Sequence, residues 1–131
     1  MSDRSYSRFI TLQRDRKTVR SFTYYTCVDP VVRDGLSEEW IDEDAPDGGC
    51  QDSDTLAKVG IPFIHQWSAC VGAYDAGVSF HDGTRSVQFL ANDKGDPAFT
   101  CHDFQLTDDR VTALREHLAF AAKVRDMLSF I

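Results

Sequence analysis

The four histidines and four cysteines are the side chains of this chain best suited to chemistry near neutral pH. His65 lies five residues before Cys70, and Cys101 directly precedes His102. Nitrogen and sulfur ligands suit zinc, so a zinc site assembled from distant segments is one interpretation. The short, paired ligand spacings of structural zinc sites are missing, and we therefore expect neither a metal nor another cofactor. The candidate zinc ligands would be His65, Cys70, His81 and Cys101.

Nucleophilic catalysis would require a cysteine or serine beside a histidine that a carboxylate orients. His81-Asp82 and His102-Asp103 supply an imidazole and a carboxylate. Neighbouring residues of a strand point to opposite faces, so neither dipeptide forms a dyad by itself. We assign no catalytic residue and favour a protein that is not an enzyme. A metal-dependent or hydrolytic enzyme with a histidine and cysteine cluster is the alternative.

Charge is distributed unevenly along the chain, whose net charge is −7. Residues 1–28 contain six basic and two acidic side chains, whereas residues 29–54 contain ten acidic side chains and one arginine. A surface this acidic disfavours direct binding to nucleic acid and favours a protein partner with a basic surface. Prolines and glycines recur in residues 29–54, which we therefore interpret as an acidic loop insert. A long loop in a small domain is often functional.

The acidic insert leads to a functional hypothesis. We expect a small intracellular protein-binding module, for example an inhibitor or immunity-type protein, that engages a basic surface of its partner. A structural or assembly subunit that forms a homo-oligomer is a further alternative. The expected partner-binding residues are Glu38, Glu39, Asp42, Glu43, Asp44, Asp47, Asp52 and Asp54.

The first half of the chain gives weaker structural signals than the second. Residues 8–14 and 18–28 are rich in β-branched and aromatic side chains and predict a hairpin that turns at residues 15–17. Residues 37–41 suggest a short helix that places Trp40 in the core. A helix at residues 53–59, ended by Gly60, and a strand at residues 63–71 follow.

The second half predicts a second hairpin, a third strand and a long helix. Residues 74–91 form the hairpin, with Asp82-Gly83 as a two-residue turn and Val78 opposite Val87. Its other face is polar and is predicted to meet water or a partner. Residues 98–106 form the third strand, and residues 108–130 form a helix capped by Thr107. The apolar face of the helix comprises Val111, Leu114, Leu118, Ala121, Val124, Met127, Leu128 and Ile131.

These elements predict an α+β fold. It has a mostly antiparallel sheet of about five strands, made of two hairpins and further strands, with the C-terminal helix across one face. Its 131 residues suggest a single domain, residues 1–131. No apolar run reaches the length of a membrane span, and the first residues do not resemble a signal peptide. We therefore expect a cytoplasmic protein that does not bind membranes.

Overall fold

The fold is α+β, with one antiparallel sheet that has helices on both faces. The computed structural model describes residues 3–23, 25, 29–99 and 107–128. The strands are β1 (Arg4–Leu12), β2 (Val32–Asp34), β3 (Ser37–Pro46), β4 (Phe63–Trp67), β5 (Gly77–His81), β6 (Ser86–Ala91) and β7 (Pro97–Ala98). The helices are α1 (Arg16–Phe22), α2 (Cys50–Lys58) and α3 (Asp108–Met127), with 3-10 turns at Gln13–Asp15 and Asp47–Gly49.

The seven strands found in the described residues have the order β2-β3-β1-β4-β5-β6-β7, and every neighbouring pair is antiparallel. The sheet is thus larger than the five strands expected. Side chains alternate between its two faces, so each long strand contributes to two separate cores. The central strands β1 and β4 are consequently buried on both sides.

The first face of the sheet packs against α3, as predicted. The Thr107 hydroxyl caps the helix by accepting the N–H of Arg110 at 3.3 Å. The predicted apolar face is only partly correct, because Leu118 and Met127 are exposed. Ile131 lies outside the described residues. Burial is concentrated in the second half of the helix, above β4, β5 and β6. The buried residues here are Phe120, Ala121 and Val124 of α3 and Leu128 at its C-terminal cap, and the strand residues of this core include Ile10, Ile64, Val78, Phe80 and Phe89.

The second face is covered by α1 and α2, which form a third layer. Val19 of α1 and Leu56 of α2 pack with Phe9, Trp40 and Phe63 of the sheet. The predicted polar face of the second hairpin is therefore not all solvent-facing: Ser79 and His81 are buried on this side. The sequence of the hairpin alone could not indicate this, because the covering residues come from other segments.

The predicted first hairpin is wrong. Its first strand is β1, but its turn residues begin a helix, and residues 16–22 form α1. Thr23 lies at the C-terminal cap of this helix, and its hydroxyl donates to the Val19 carbonyl at 2.6 Å. A helix satisfies its backbone internally while burying Val19, which explains why β-propensity loses to tertiary packing. Tyr24 and residues 26–28, the rest of the predicted strand, lie outside the described residues.

The interpretation of residues 29–54 as a loop is also wrong. They form β2, β3, a 3-10 turn and the beginning of α2, and the short helix expected at residues 37–41 is part of β3. Trp40 is nevertheless in the core, as expected. Its indole N–H donates to the Thr11 hydroxyl at 2.9 Å. Pairing with β1 on one side and β2 on the other makes this acidic segment an inner strand of the sheet.

The second hairpin is present, but its register differs from the predicted one. Val78 lies opposite Phe89, and the loop has four residues, 82–85. The Asp82 carboxylate accepts the N–H groups of Thr84 and Arg85, each at 2.8 Å, which stabilises the longer loop. Arg85 therefore belongs to the loop and not to a strand pair, and its guanidinium carbon lies 4.5 Å from the centroid of the Phe120 ring of α3.

Three further predicted elements differ mainly in length. The predicted helix at residues 53–59 is α2, which begins earlier, and the predicted strand at residues 63–71 is β4, which ends at Trp67. The third strand starts as β7, and its residues 100–106 lie outside the described residues.

Candidate binding surface

A buried polar cluster lies on the second face of the sheet, around His65. The His65 Nε2 atom is 2.8 Å from the Gly48 carbonyl oxygen and 3.1 Å from the Ser7 hydroxyl, and the Tyr25 hydroxyl donates to Ser7 at 3.2 Å. A carbonyl only accepts, so Nε2 carries the imidazole proton. The Phe9 ring stacks on the imidazole with a centroid separation of 4.1 Å. Burial lowers the pKa of His65 to about 4, which keeps the ring neutral at physiological pH.

This cluster has the residue types of a nucleophilic site but not its arrangement. Ser7 and His65 are both 0% exposed, so a substrate could not reach them. The nitrogen that faces Ser7 is protonated and cannot accept its proton. The other nitrogen, Nδ1, is buried without a hydrogen-bond partner among the described residues, so it lacks an orienting carboxylate. The cluster fastens the Gly48-Gly49 turn to β1 and β4.

Three of the four predicted zinc ligands, His65, Cys70 and His81, lie within the described residues, and they do not form a metal-binding group. His81 stacks on Phe63, and its Nδ1 lies 2.5 Å from the Ser86 hydroxyl. Cys70 lies past the end of β4, in a bridge to Tyr74. Within residues 3–23, 25, 29–99 and 107–128, no group of three or more His, Cys, Asp or Glu side chains could hold a metal. Cys101, with its neighbour His102, lies outside those residues.

The charge asymmetry of the sequence is partly resolved by the fold, because the basic and acidic segments lie side by side. Arg8 pairs with Glu39, and Arg16 pairs with Glu38. Two more pairs join the same segments: Arg20 with Asp29 at 2.5 Å and Arg4 with Asp44 at 3.8 Å. Much of the acidity therefore meets arginines of the same chain.

The eight predicted partner-binding residues fall into two groups. Glu38 is 1% exposed and Asp52 is 6% exposed, and Glu39 is partly buried beside Arg8, so these three are poorly placed to meet a partner. Alternation along β3 explains the position of Glu38, which points to the same covered face as Trp40. Asp42 is half-buried. The exposed members are Glu43, Asp44, Asp47 and Asp54.

An irregularity in β3 presents two of the exposed carboxylates together. Ser5 pairs with Ala45 and Ser7 pairs with Asp42, so Glu43 and Asp44 both lie opposite Tyr6. Such a β-bulge lets consecutive side chains leave the alternating pattern. The Asp42 carboxylate accepts the Asp44 N–H at 3.0 Å and supports the bulge. We name the exposed residues at the C-terminal end of β3 and directly after it, Glu43, Asp44 and Asp47, the acidic ridge.

A polar bowl of about 340 Å³ opens beside the bulge on the first face of the sheet. The Arg8 guanidinium is held from two sides, by the Glu39 carboxylate and by the Gln66 carboxamide oxygen at 2.8 Å. Gln66 in turn donates to the Gly95 carbonyl at 3.2 Å. The bowl lies toward the N-terminal end of β1, whereas α3 covers β4, β5 and β6. Its lining residues are Tyr6, Arg8, Glu39, Gln66, Trp67, Asn92, Asp93, Lys94 and Gly95.

Sequence reasoning missed the bowl. Arg8, Gln66 and Gly95 are far apart in the chain, and Arg8 has no sequence pattern that distinguishes it from the other arginines. The alternation of polar Tyr6-x-Arg8 with buried Ser7 and Phe9 in β1 was the available signal that one face of this strand is polar.

Comparisons with protein families, curated proteins and solved structures found no match for this chain. None of the helices in the described residues is long and apolar enough to cross a membrane.

Proposed function

We propose that this protein is an intracellular binding module that occupies a basic surface of a partner protein through the acidic ridge. The supporting observation is the β-bulge, which turns Glu43 and Asp44 outward at neighbouring positions and is followed by exposed Asp47. Closely spaced exposed carboxylates attract a basic surface and accelerate its association.

The acidic ridge has little internal neutralisation compared with the rest of β3. Among the described residues, its one ion pair is between Arg4 and Asp44, at 3.8 Å, and Asp44 is 76% exposed. Exposed pairs of this kind contribute little free energy, so a partner's cations could replace Arg4 at small cost. Glu38 and Glu39, by contrast, are buried or partly buried with their arginines.

One observation favours binding over turnover, and a second favours a reducing compartment. The cluster around His65, which has the residue types for catalysis, is sealed from solvent. Cys50 and Cys70 are free thiols, as expected of proteins from the cytoplasm. One form of this function is an inhibitor or immunity-type protein that blocks a partner's nucleic-acid-binding surface.

The test compares two triple variants with equal changes of charge. The ridge variant carries Glu43→Gln, Asp44→Asn and Asp47→Asn. The control carries Asp109→Asn, Glu116→Gln and Asp126→Asn, at exposed positions of α3. The probe is a fluorescein-labelled peptide of about twelve residues with alternating lysine and glycine, and binding is followed by fluorescence anisotropy at low and moderate salt.

The ridge variant should bind the peptide about tenfold more weakly and with a smaller salt dependence, and the control should change by less than about threefold. Equal weakening in both variants would mean that the probe responds to net charge alone. That result, or no effect of the ridge variant, would overturn the proposal.

A further inference from the structure

We infer that the polar bowl is a binding site for a small zwitterion of the α-amino acid class. Three donors face or border it without hydrogen-bond or ion-pair partners for those groups among the described residues: the outer N–H groups of Arg8 that Gln66 does not bind, the Lys94 ammonium and the Tyr6 hydroxyl. A carboxylate suits such donors because each contact is a charge-assisted or hydroxyl hydrogen bond.

The charges of the bowl favour a ligand with both a carboxylate and an ammonium group. Arg8 and Lys94 are balanced by Glu39 and Asp93, so the lining has no net charge. A simple anion would leave an excess negative charge beside the acidic ridge. A zwitterion keeps the balance, with its carboxylate toward Arg8 and Lys94 and its ammonium toward Asp93.

The Arg8 guanidinium is already oriented before a ligand arrives. Glu39 binds its Nε–H, Gln66 binds one of its outer N–H groups, and Gly95 fixes Gln66. A side chain added at Gly95 would lie 2.7 Å from the Gln66 carboxamide, so the loop approaches this chain of contacts closely. Groups held in this way lose less conformational entropy on binding, which favours affinity.

The loop between β6 and β7 supplies the remaining charges. The Asn92 carboxamide oxygen accepts the N–H groups of Lys94 at 2.9 Å and Asp96 at 3.0 Å, which gives the loop a defined turn. Lys94 and Asp93 are therefore presented next to each other at the rim of the bowl. Ligand binding there would not require a partner on the acidic ridge.

The experiment is a titration of the ¹⁵N-labelled full chain, followed by NMR through the amides of Tyr6 and Gly95 and the indole N–H of Trp67. The probes are L-leucine and L-glutamine, each compared with its N-acetyl derivative, which lacks the ammonium, and its α-carboxamide, which lacks the carboxylate. We expect saturable shifts at these signals with the free amino acid and at least tenfold weaker binding of both derivatives.

Two matched variants complete the test. Lys94→Gln should weaken binding about tenfold, because it removes one charged hydrogen bond. Lys58→Gln removes the same charge from an exposed position on α2 and should change binding by less than twofold. The inference is overturned if neither amino acid shifts these signals at about 10 mM, if either derivative binds as well, or if both variants behave alike.

Discussion

His65 and Ser7 show how far residue type alone can be taken. Their residue types are visible in the sequence, but their hydrogen bonds are not. Ser7 lies 58 residues from His65 in the chain, and Gly48, the other partner of His65, lies 17 residues from it. The sequence therefore indicated histidines able to titrate near neutral pH. Folding buries one of them, His65, in an environment where it stays neutral at that pH. Burial on both sides by aromatic rings decides its protonation state.

The depressed pKa of His65 predicts a loss of stability in mild acid. The pKa is about 4 in the folded protein and about 6.5 in the unfolded chain, so the unfolded chain binds more protons between these values. The contribution of His65 is fully present above pH 6.5 and is lost as the pH falls toward 4. The expected loss is about 3 kcal/mol. Urea unfolding at pH 7.5, 6, 5 and 4 measures it.

Two variants isolate this contribution. His65→Gln cannot titrate but retains a donor for the Gly48 carbonyl, so its free energy of unfolding should depend less on pH below 6.5. Burial also lowers the pKa of His81, which leaves a residual dependence of the same sign. His117→Gln makes the same substitution at an exposed position of α3 and is the matched control. An unchanged slope in His65→Gln would contradict the prediction.

At the scale of elements, predictability followed the range of the interactions that stabilise each one. The helix α3 has a local cap and a long interruption-free sequence, and the second hairpin has a local turn, so both elements could be predicted, although the register of the hairpin was wrong. The helix α1 and the strand β3 could not, because each depends on contacts with β1. Glu38 and Trp40 belong to a strand because they bury against Arg16 and Thr11.

The Gly48-Gly49 turn joins β3 to α2 and predicts an effect of a single methyl group. Gly49 has φ +84°, and a Cβ there would lie 2.4 Å from the Ser7 hydroxyl oxygen. Gly49→Ala should therefore combine backbone strain with a collision at the cluster around His65. The expected loss in the free energy of unfolding is about 3 kcal/mol or more, measured by urea denaturation.

Gly72 provides the matched control, because its φ is +82° but a Cβ there would meet nothing within 4 Å. Gly72→Ala should cost only the strain of the left-handed conformation, about 1 kcal/mol. If the two alanine variants lose equal stability, the close approach of Gly49 to Ser7 is not what constrains the turn.

At the scale of the whole molecule, the charge pattern had two consequences that the sequence could not separate. The acidic segment pairs with the basic N-terminal segment, as in Arg16–Glu38, and it also leaves the acidic ridge exposed. Net charge counts both groups of carboxylates equally. Strand pairing and the bulge determine which carboxylates pair with arginines and which remain exposed. The fold class followed from the order of elements, but the candidate site depended on this assignment.

The two-sided burial of the sheet predicts a gradient of stability across the molecule. β1 and β4 are central strands with cores on both faces, whereas most side chains of residues 108–119 in α3 are exposed. Amide hydrogen exchange should be slowest in β1 and β4, where it requires global unfolding and its free energy falls steeply with urea. Residues 112–118 should exchange faster and with little urea dependence, and residues 121–127 should be intermediate. Equal protection and equal urea dependence along α3 and β1 would show that the helix unfolds only together with the sheet, and that its exposed first half is not a separate low-stability unit.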